Sequence, residues 1–260
     1  MRRWISGVLA IVVSACATPP PAVENNAEAY SNRGLSWYKK GDHDQAISDY
    51  TRAIELNPRY ANAYYNRGIA FDDKGQYDRA IADYTRAIEL NPKHAKAYVA
   101  RGIAHGGKGQ FDRAISDFNA AIEIDPGGAT VYYNRGLAYR LKGQYDRAIS
   151  DYTKAIEVNP EYRSAYNSMA WILATCVDER YRDGRKAVKL AKQALASNSN
   201  PFYMDTLAAA YAEVGNFADA VQTQEQVITL LREKGDAHHL FGAASRRLEF
   251  YRAGKPWRDE

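Results

Sequence analysis

The sequence predicts an all-α solenoid, and three observations point to it. Gly34, Gly68, Gly102 and Gly136 are each 34 residues apart, and so are Pro58, Pro92, Pro126 and Pro160. A period of this size marks stacked units that share one elongated core. Each period also holds two apolar patterns at helical spacing. In the copy Ala61–His94, Tyr64, Gly68 and Phe71 fall at i, i+4 and i+7, and Ala80, Tyr84, Ala87 and Ile88 repeat that rhythm. Finally, small residues (Gly68, Ala80, Ala87) alternate with aromatics (Tyr64, Phe71, Tyr77, Tyr84), a composition that lets two helices approach and fills the space between them.

The chain begins with residues 1–16, which read as a secretory leader. Arg2 and Arg3 precede an apolar run, Trp4 to Ala15, that is short for a membrane span. Val13-Ser14-Ala15-Cys16 resembles the lipobox of bacterial lipoproteins, which implies cleavage before Cys16 and acylation (palmitate and related chains) at that residue. Several acyl chains anchor a protein firmly where one does not. Ala15-Cys16-Ala17 also fits ordinary cleavage after Ala17. The residue after Cys16 is not the Asp that resembles an inner-membrane retention signal, so the expected location is the outer membrane, facing the periplasm. Residues 17–26, with Pro19, Pro20 and Pro21, suit a semi-extended tether.

Four regular units follow, at 27–60, 61–94, 95–128 and 129–162. Gly75 is placed to end the first helix of its unit by adopting positive φ, Asp78 to cap the second, and Asn91-Pro92 to stop it. The aromatic, Gly, aromatic, Ala, aromatic, Ala, Pro series resembles the tetratricopeptide repeat (TPR). It reads Tyr30, Gly34, Trp37, Ala46, Tyr50, Ala53, Pro58 in the first copy and Tyr132, Gly136, Tyr139, Ala148, Tyr152, Ala155, Pro160 in the fourth. The third copy departs from it, with His105 in an aromatic slot followed by Gly106 and Gly107, so its first helix is predicted to fray. A stretched fifth unit (163–200) carries an insertion within 175–184. A sixth unit spans 201–235, a capping helix 236–252 and a tail 253–260. The resemblance implies a right-handed TPR superhelix of about six helix-turn-helix repeats plus a C-terminal cap that covers the last apolar face.

Charge excludes some classes of partner. The formal net charge is +4, with Arg2 and Arg3 contributing half of it, and Lys and Arg are interleaved with Asp and Glu. That is a solvated helix surface rather than the clustered basic face of a nucleic-acid binder. No phosphate-cradling Gly loop and no nucleophile with an identifiable base is present. His238 and His239 are adjacent instead of i, i+4, so no metal, cofactor or catalytic site is predicted. Cys176 is a lone thiol once Cys16 is lipidated; packing as a small hydrophobe and a reactive or interchain role are both open to it.

Two recurrences lie outside the core pattern. Arg33, Arg67, Arg101 and Arg135 match Asp49, Asp83, Asp117 and Asp151, and both members vanish together in unit five (Met169, Leu190) and unit six (Leu207, Thr223). Joint loss predicts a structural ion pair between the two helices of each unit. Asn32, Asn66 and Asn134 precede three of those arginines, with Ala100 and Ser168 interrupting the series. In TPR proteins this slot lines the concave groove, and the series resembles the asparagine ladder with which some arrays grip a peptide backbone. An Asn amide offers a donor and an acceptor to any peptide group. The alternative is that these residues solvate the surface or bond across repeats. Tyr65, Ile69, Tyr133, Leu137, Asn167 and Trp171 are expected to share the groove, as are Ser31, Leu35, Tyr38, Val99, Ile103 and Arg140. The basic clamp of chaperone-binding TPRs is absent, its slots holding Tyr65, Ala100 and similar residues. The expected function is a non-enzymatic scaffold that binds extended peptides or partner proteins at the bacterial envelope. A self-assembling factor of envelope machinery (pilus, outer-membrane or cell-wall hydrolase complexes) is the alternative.

Overall fold

The computed structural model describes residues 26–195, 200–233 and 240–259, and the lipobox Cys16 and the pair His238-His239 lie outside them. Within the described residues the chain is a succession of helices: α1 (Ala27–Lys39), α2 (His43–Leu56), α3 (Ala61–Asp73), α4 (Tyr77–Leu90), α5 (Ala95–Gly107), α6 (Phe111–Ile124), α7 (Ala129–Leu141), α8 (Tyr145–Val158), α9 (Arg163–Thr175), α10 (Gly184–Leu195), α11 (Pro201–Glu213), α12 (Phe217–Glu233) and α13 (Leu240–Arg252), with one 3₁₀ turn at Glu179–Tyr181. Each helix from α1 to α13 packs on its sequence neighbours. The odd-numbered helices α1 to α11 also touch one another in succession. The result is a TPR superhelix with an inner row of odd helices and an outer row of even ones.

Local chemistry sets these lengths. Gly75 ends α3 with φ +70°, a backbone state that a β-carbon disfavours. At the other end of each unit, Asn57, Asn91, Asp125 and Asn159 leave the helix in extended conformation. Their side-chain oxygens accept from the backbone N–H two residues on, at Arg59, Lys93, Gly127 and Glu161. Proline therefore shares the stop with an Asx turn.

The close approach inside each unit has a definite cause. A β-carbon on Gly68 would sit 2.6 Å from Tyr84 Cε1, and one on Gly34, Gly102 or Gly136 would meet Tyr50, Phe118 or Tyr152 at 2.7–2.8 Å. The aromatic ring of the second helix thus lies directly on the glycine of the first. In unit five the pair becomes Ala170 and Ala191, both fully buried, so glycine and ring are exchanged together.

Two expectations need correction. Asp78 is not the cap of α4: the helix begins at Tyr77, its N-cap residue is Gln76, and the Asp78 carboxylate instead receives the ammonium of Lys108 from the next unit. Lys74–Asp44 and Lys142–Asp112 repeat this link, and Tyr181 in the insertion replaces lysine by donating to Asp146 at 2.7 Å. Tyr77 does not fill the interhelical space. It opens its helix, is 39% exposed, and lays its ring edge against Gly107. Helix α5 runs through Gly106 and Gly107, with Lys108 N–H donating to the carbonyls of Ala104 and His105, and its fraying is a question of exchange rate. His105 holds the aromatic slot, buried, with Nδ1 2.8 Å from Gln110 Oε1.

Candidate peptide-binding groove

The inner row is positioned by the ion pairs that tie it to the outer row. Arg33 Nε donates to Asp49 Oδ2 at 2.6 Å, and Arg67, Arg101 and Arg135 reach Asp83, Asp117 and Asp151 through both Nε and Nη2 at 2.7–3.0 Å. The fork-to-carboxylate geometry fixes the rotation of α1, α3, α5 and α7 about their axes. A further contact was not foreseen: Nη1 of Arg67, Arg101 and Arg135 donates to Thr51, Thr85 and Asn119 of the preceding unit. One guanidinium therefore joins three helices. The signal for it was present, because Thr51, Thr85, Asn119 and Thr153 recur every 34 residues. Where Arg gives way to Met169, Thr153 faces its sulfur at 4.0 Å.

With the arginine directed outward to its aspartate, the residue before it is left on the open side. Along α3 the uncovered stripe runs Asn62, Tyr65, Asn66, Ile69, Asp72 and Asp73, at helical spacing opposite buried Ala63 and Ala70. Asn32 is exposed and Asn66 and Asn134 are half-buried, and their side-chain amides make no hydrogen bond with any described residue. Leu35 and Ile103 are exposed on the same row, at 38% and 44%. Ile69, Val99 and Leu137 are half-buried there.

Several groove residues are less available than expected. Ser31 is buried. Tyr65 turns its ring toward Tyr84 and His94, with centroids at 6.0 and 4.8 Å, and Tyr133 does the same with Tyr152 and Tyr162 at 5.8 and 5.3 Å. These tyrosines wedge between units as well as line the trough, and burial raises the Tyr65 pKa. Asn167 is half-buried, with its Oδ1 buried and unbonded. Cys176 is buried, which fits packing as a small hydrophobe and removes it as an accessible interchain thiol.

The groove also changes character along its length. Near α1 and α3 it is acidic. The Tyr38 hydroxyl donates to Asp73 at 2.6 Å, and that bond, with burial, pushes its pKa up to about 12. Burial, and then the neighbouring Asp73 charge, raises the pKa of Asp72, whose Oδ1 has no partner. Between α5 and α7 lies an apolar notch of about 310 Å³, lined by Ile103, Gly106, Gly107, Asn134, Leu137 and Leu141. The two glycines that break the repeat pattern open it. At α7 and α9, Arg140 and Trp171 both meet the carboxylate of Asp259, from the chain's own C-terminus. Among the described residues no group of three His, Cys, Asp or Glu side chains could hold a metal ion, and no helix is long and apolar enough to cross a membrane.

Comparison with known proteins agrees with this architecture. Family models described as tetratricopeptide repeat match residues 27–60, 61–94 and 129–162, then 83–116 and 203–234, and one described as TPR repeat matches 107–143. Together they span more than half of the chain. The third unit is matched only out of register, in keeping with His105, Gly106 and Gly107. No curated protein matches the sequence significantly. Among solved structures, PilF of Pseudomonas aeruginosa superposes with a TM-score of 0.72 at 18% identity, over 88% of this chain and 97% of that one. A tetratricopeptide repeat protein from Parabacteroides merdae gives 0.64 at 22% identity, over 78% and 79%. MamA from Desulfovibrio magneticus gives 0.52 at 20% identity, over 82% and 98%. At these identities the likeness establishes the fold.

Proposed function

The chain belongs to the tetratricopeptide-repeat proteins, and from that premise we propose that it is a non-enzymatic scaffold whose concave groove grips an extended segment of a partner protein. One observation carries the reading: the amides of Asn32, Asn66 and Asn134 stand unbonded along the inner row in units one, two and four, while every neighbouring arginine is consumed by its aspartate. Such an amide is open to a ligand, and a peptide backbone supplies both an acceptor and a donor for it. The apolar notch beside Asn134 and Leu137 then receives a side chain of the same segment.

The site of action we propose is the bacterial envelope, most simply the periplasmic face of the outer membrane, with the protein held by acyl chains on Cys16. This part rests on the leader and on Val13-Ser14-Ala15-Cys16 followed by Ala17. Incorporation of an alkyne-palmitate label that disappears in Cys16→Ser tests it; equal labelling of both proteins refutes it.

The groove is tested by affinity capture from detergent-solubilised membranes, comparing wild type with the Asn32→Ala/Asn66→Ala/Asn134→Ala protein. Loss of the partners recovered by wild type is expected, with the melting curve unchanged. Undiminished recovery sinks the ladder.

A further inference from the structure

The far end of the groove already holds an extended peptide, namely the chain's own C-terminus. Gly254, at φ +65°, ends α13, and the segment that follows runs back to α9. Asp259 N–H donates to the Thr175 carbonyl at 2.9 Å, a strand-like pairing alongside Cys176. Its carboxylate accepts from Trp171 Nε1 at 2.7 Å and lies 3.7 Å from Arg140 Nη1. One residue earlier, Arg258 Nη1 meets Glu213 Oε2 at 2.7 Å. Two residues earlier, Trp257 packs edge-on against Phe250, and the Arg247 guanidinium lies over the rings of both Trp171 and Trp257, at 5.5 and 5.9 Å.

These receptor groups are peculiar to this end. The slot of Arg140 holds Tyr38, Asp72 and Gly106 in the earlier units, and the slot of Trp171 holds Leu35, Ile69, Ile103 and Leu137. An indole donor and a guanidinium charge converging on one carboxylate, with a main-chain bond beside them, form a recognition device of the strand-addition kind. In such a device backbone pairing gives affinity, and alternate side chains give selectivity. The ion-pair part of this contact is weak, because the Asp259 side chain is 42% exposed and Arg140 27%, and half-solvated ion pairs contribute little.

We propose, resting on the peptide-scaffold reading, that this end of the groove recognises an extended segment with an aromatic residue two positions before a carboxylate. The chain's own Trp257-Arg258-Asp259 fills it in cis. A partner segment of that chemistry enters by displacing the tail. A tethered competitor acts at an effective concentration of about millimolar, so a free peptide of the same chemistry binds the intact protein at least ~10-fold more weakly than a protein whose tail is disabled.

The test uses full-length protein and a fluorescein-labelled peptide, Lys-Pro-Trp-Arg-Asp-Glu, followed by fluorescence polarisation. Saturable binding is expected to the Trp257→Ala/Asp259→Ala protein and to Asp259→Ala alone, at least ~10-fold tighter than to wild type. Trp171→Phe, added to either, keeps an aromatic ring, removes the donor and should weaken binding by at least ~10-fold. Thermal melts confirm that each variant folds. Equal affinity for wild type and tail-disabled protein, absence of binding to both folded tail variants, or indifference to Trp171→Phe overturns the proposal. If it fails while membrane partners are still lost in the triple asparagine variant, the scaffold reading stands. If the peptide binds as expected and partner recovery ignores the asparagines, the ladder is what fails.

Discussion

Replacing Arg67 by leucine removes a guanidinium that joins three helices. Its Nε and Nη2 each donate to Asp83 at 2.8 Å, and Nη1 donates to Thr51 at 3.0 Å. The Asp83 side chain is only 9% exposed, so Arg67→Leu strands a buried carboxylate. Loss of one partner of a buried pair costs ~3–5 kcal/mol, and we expect about 4. Asp83→Leu strands an arginine that is 18% exposed and has a longer reach to water; about 3 kcal/mol is expected. Additivity puts the double variant near 7 kcal/mol, but it leaves no buried charge and restores the apolar pairing seen at Met169 and Leu190, so about 4 is expected. The coupling is then ~3 kcal/mol. Urea unfolding of the four proteins, followed by far-UV circular dichroism and by tryptophan fluorescence, measures it, provided the two probes coincide. Single-variant effects that add to within ~0.5 kcal/mol refute the claim that the pair acts as a unit.

Two glycine substitutions should move stability in opposite directions. Gly68→Ala places a methyl 2.6 Å from a ring that is 1% exposed, so overpacking of ~1–3 kcal/mol outweighs a helix-propensity gain of ~1 kcal/mol; a lowered urea midpoint is expected, and an unchanged or raised one contradicts the packing argument. Gly106→Ala meets nothing within 4 Å and should stabilise by up to ~1 kcal/mol. It should also slow amide hydrogen exchange at the end of α5, where wild type is expected to exchange faster than the matching end of α3; equal rates in those two helices remove the case for a weakened helix end.

Much of this molecule was legible because its contacts recur. Glycine and ring are 16 residues apart in four units, arginine and aspartate likewise, and lysine and aspartate 30 apart across units. A contact made at one spacing in every copy leaves a periodic trace, so helix pairing and ion pairs could be inferred before any coordinates. The same logic explains the misreading of Asp78. A helix-start aspartate that recurs satisfies both a cap and an inter-unit bridge, and only the helix boundary at Tyr77 decides between them.

What occurs once leaves no period. Gly106 and Gly107 read as a weakness in α5; as a notch they depend on Leu137 and Leu141 of the next inner helix. Trp171 and Asp259 meet across 88 residues, a pairing that no spacing in the chain announces. The sequence by itself determined the repeating unit, its two helices and the stripe each presents, since those follow from local sterics and side-chain periodicity. Only the tertiary structure decided that the stripe ends in a site filled by the chain's own tail, because that contact is set by the path of the whole superhelix.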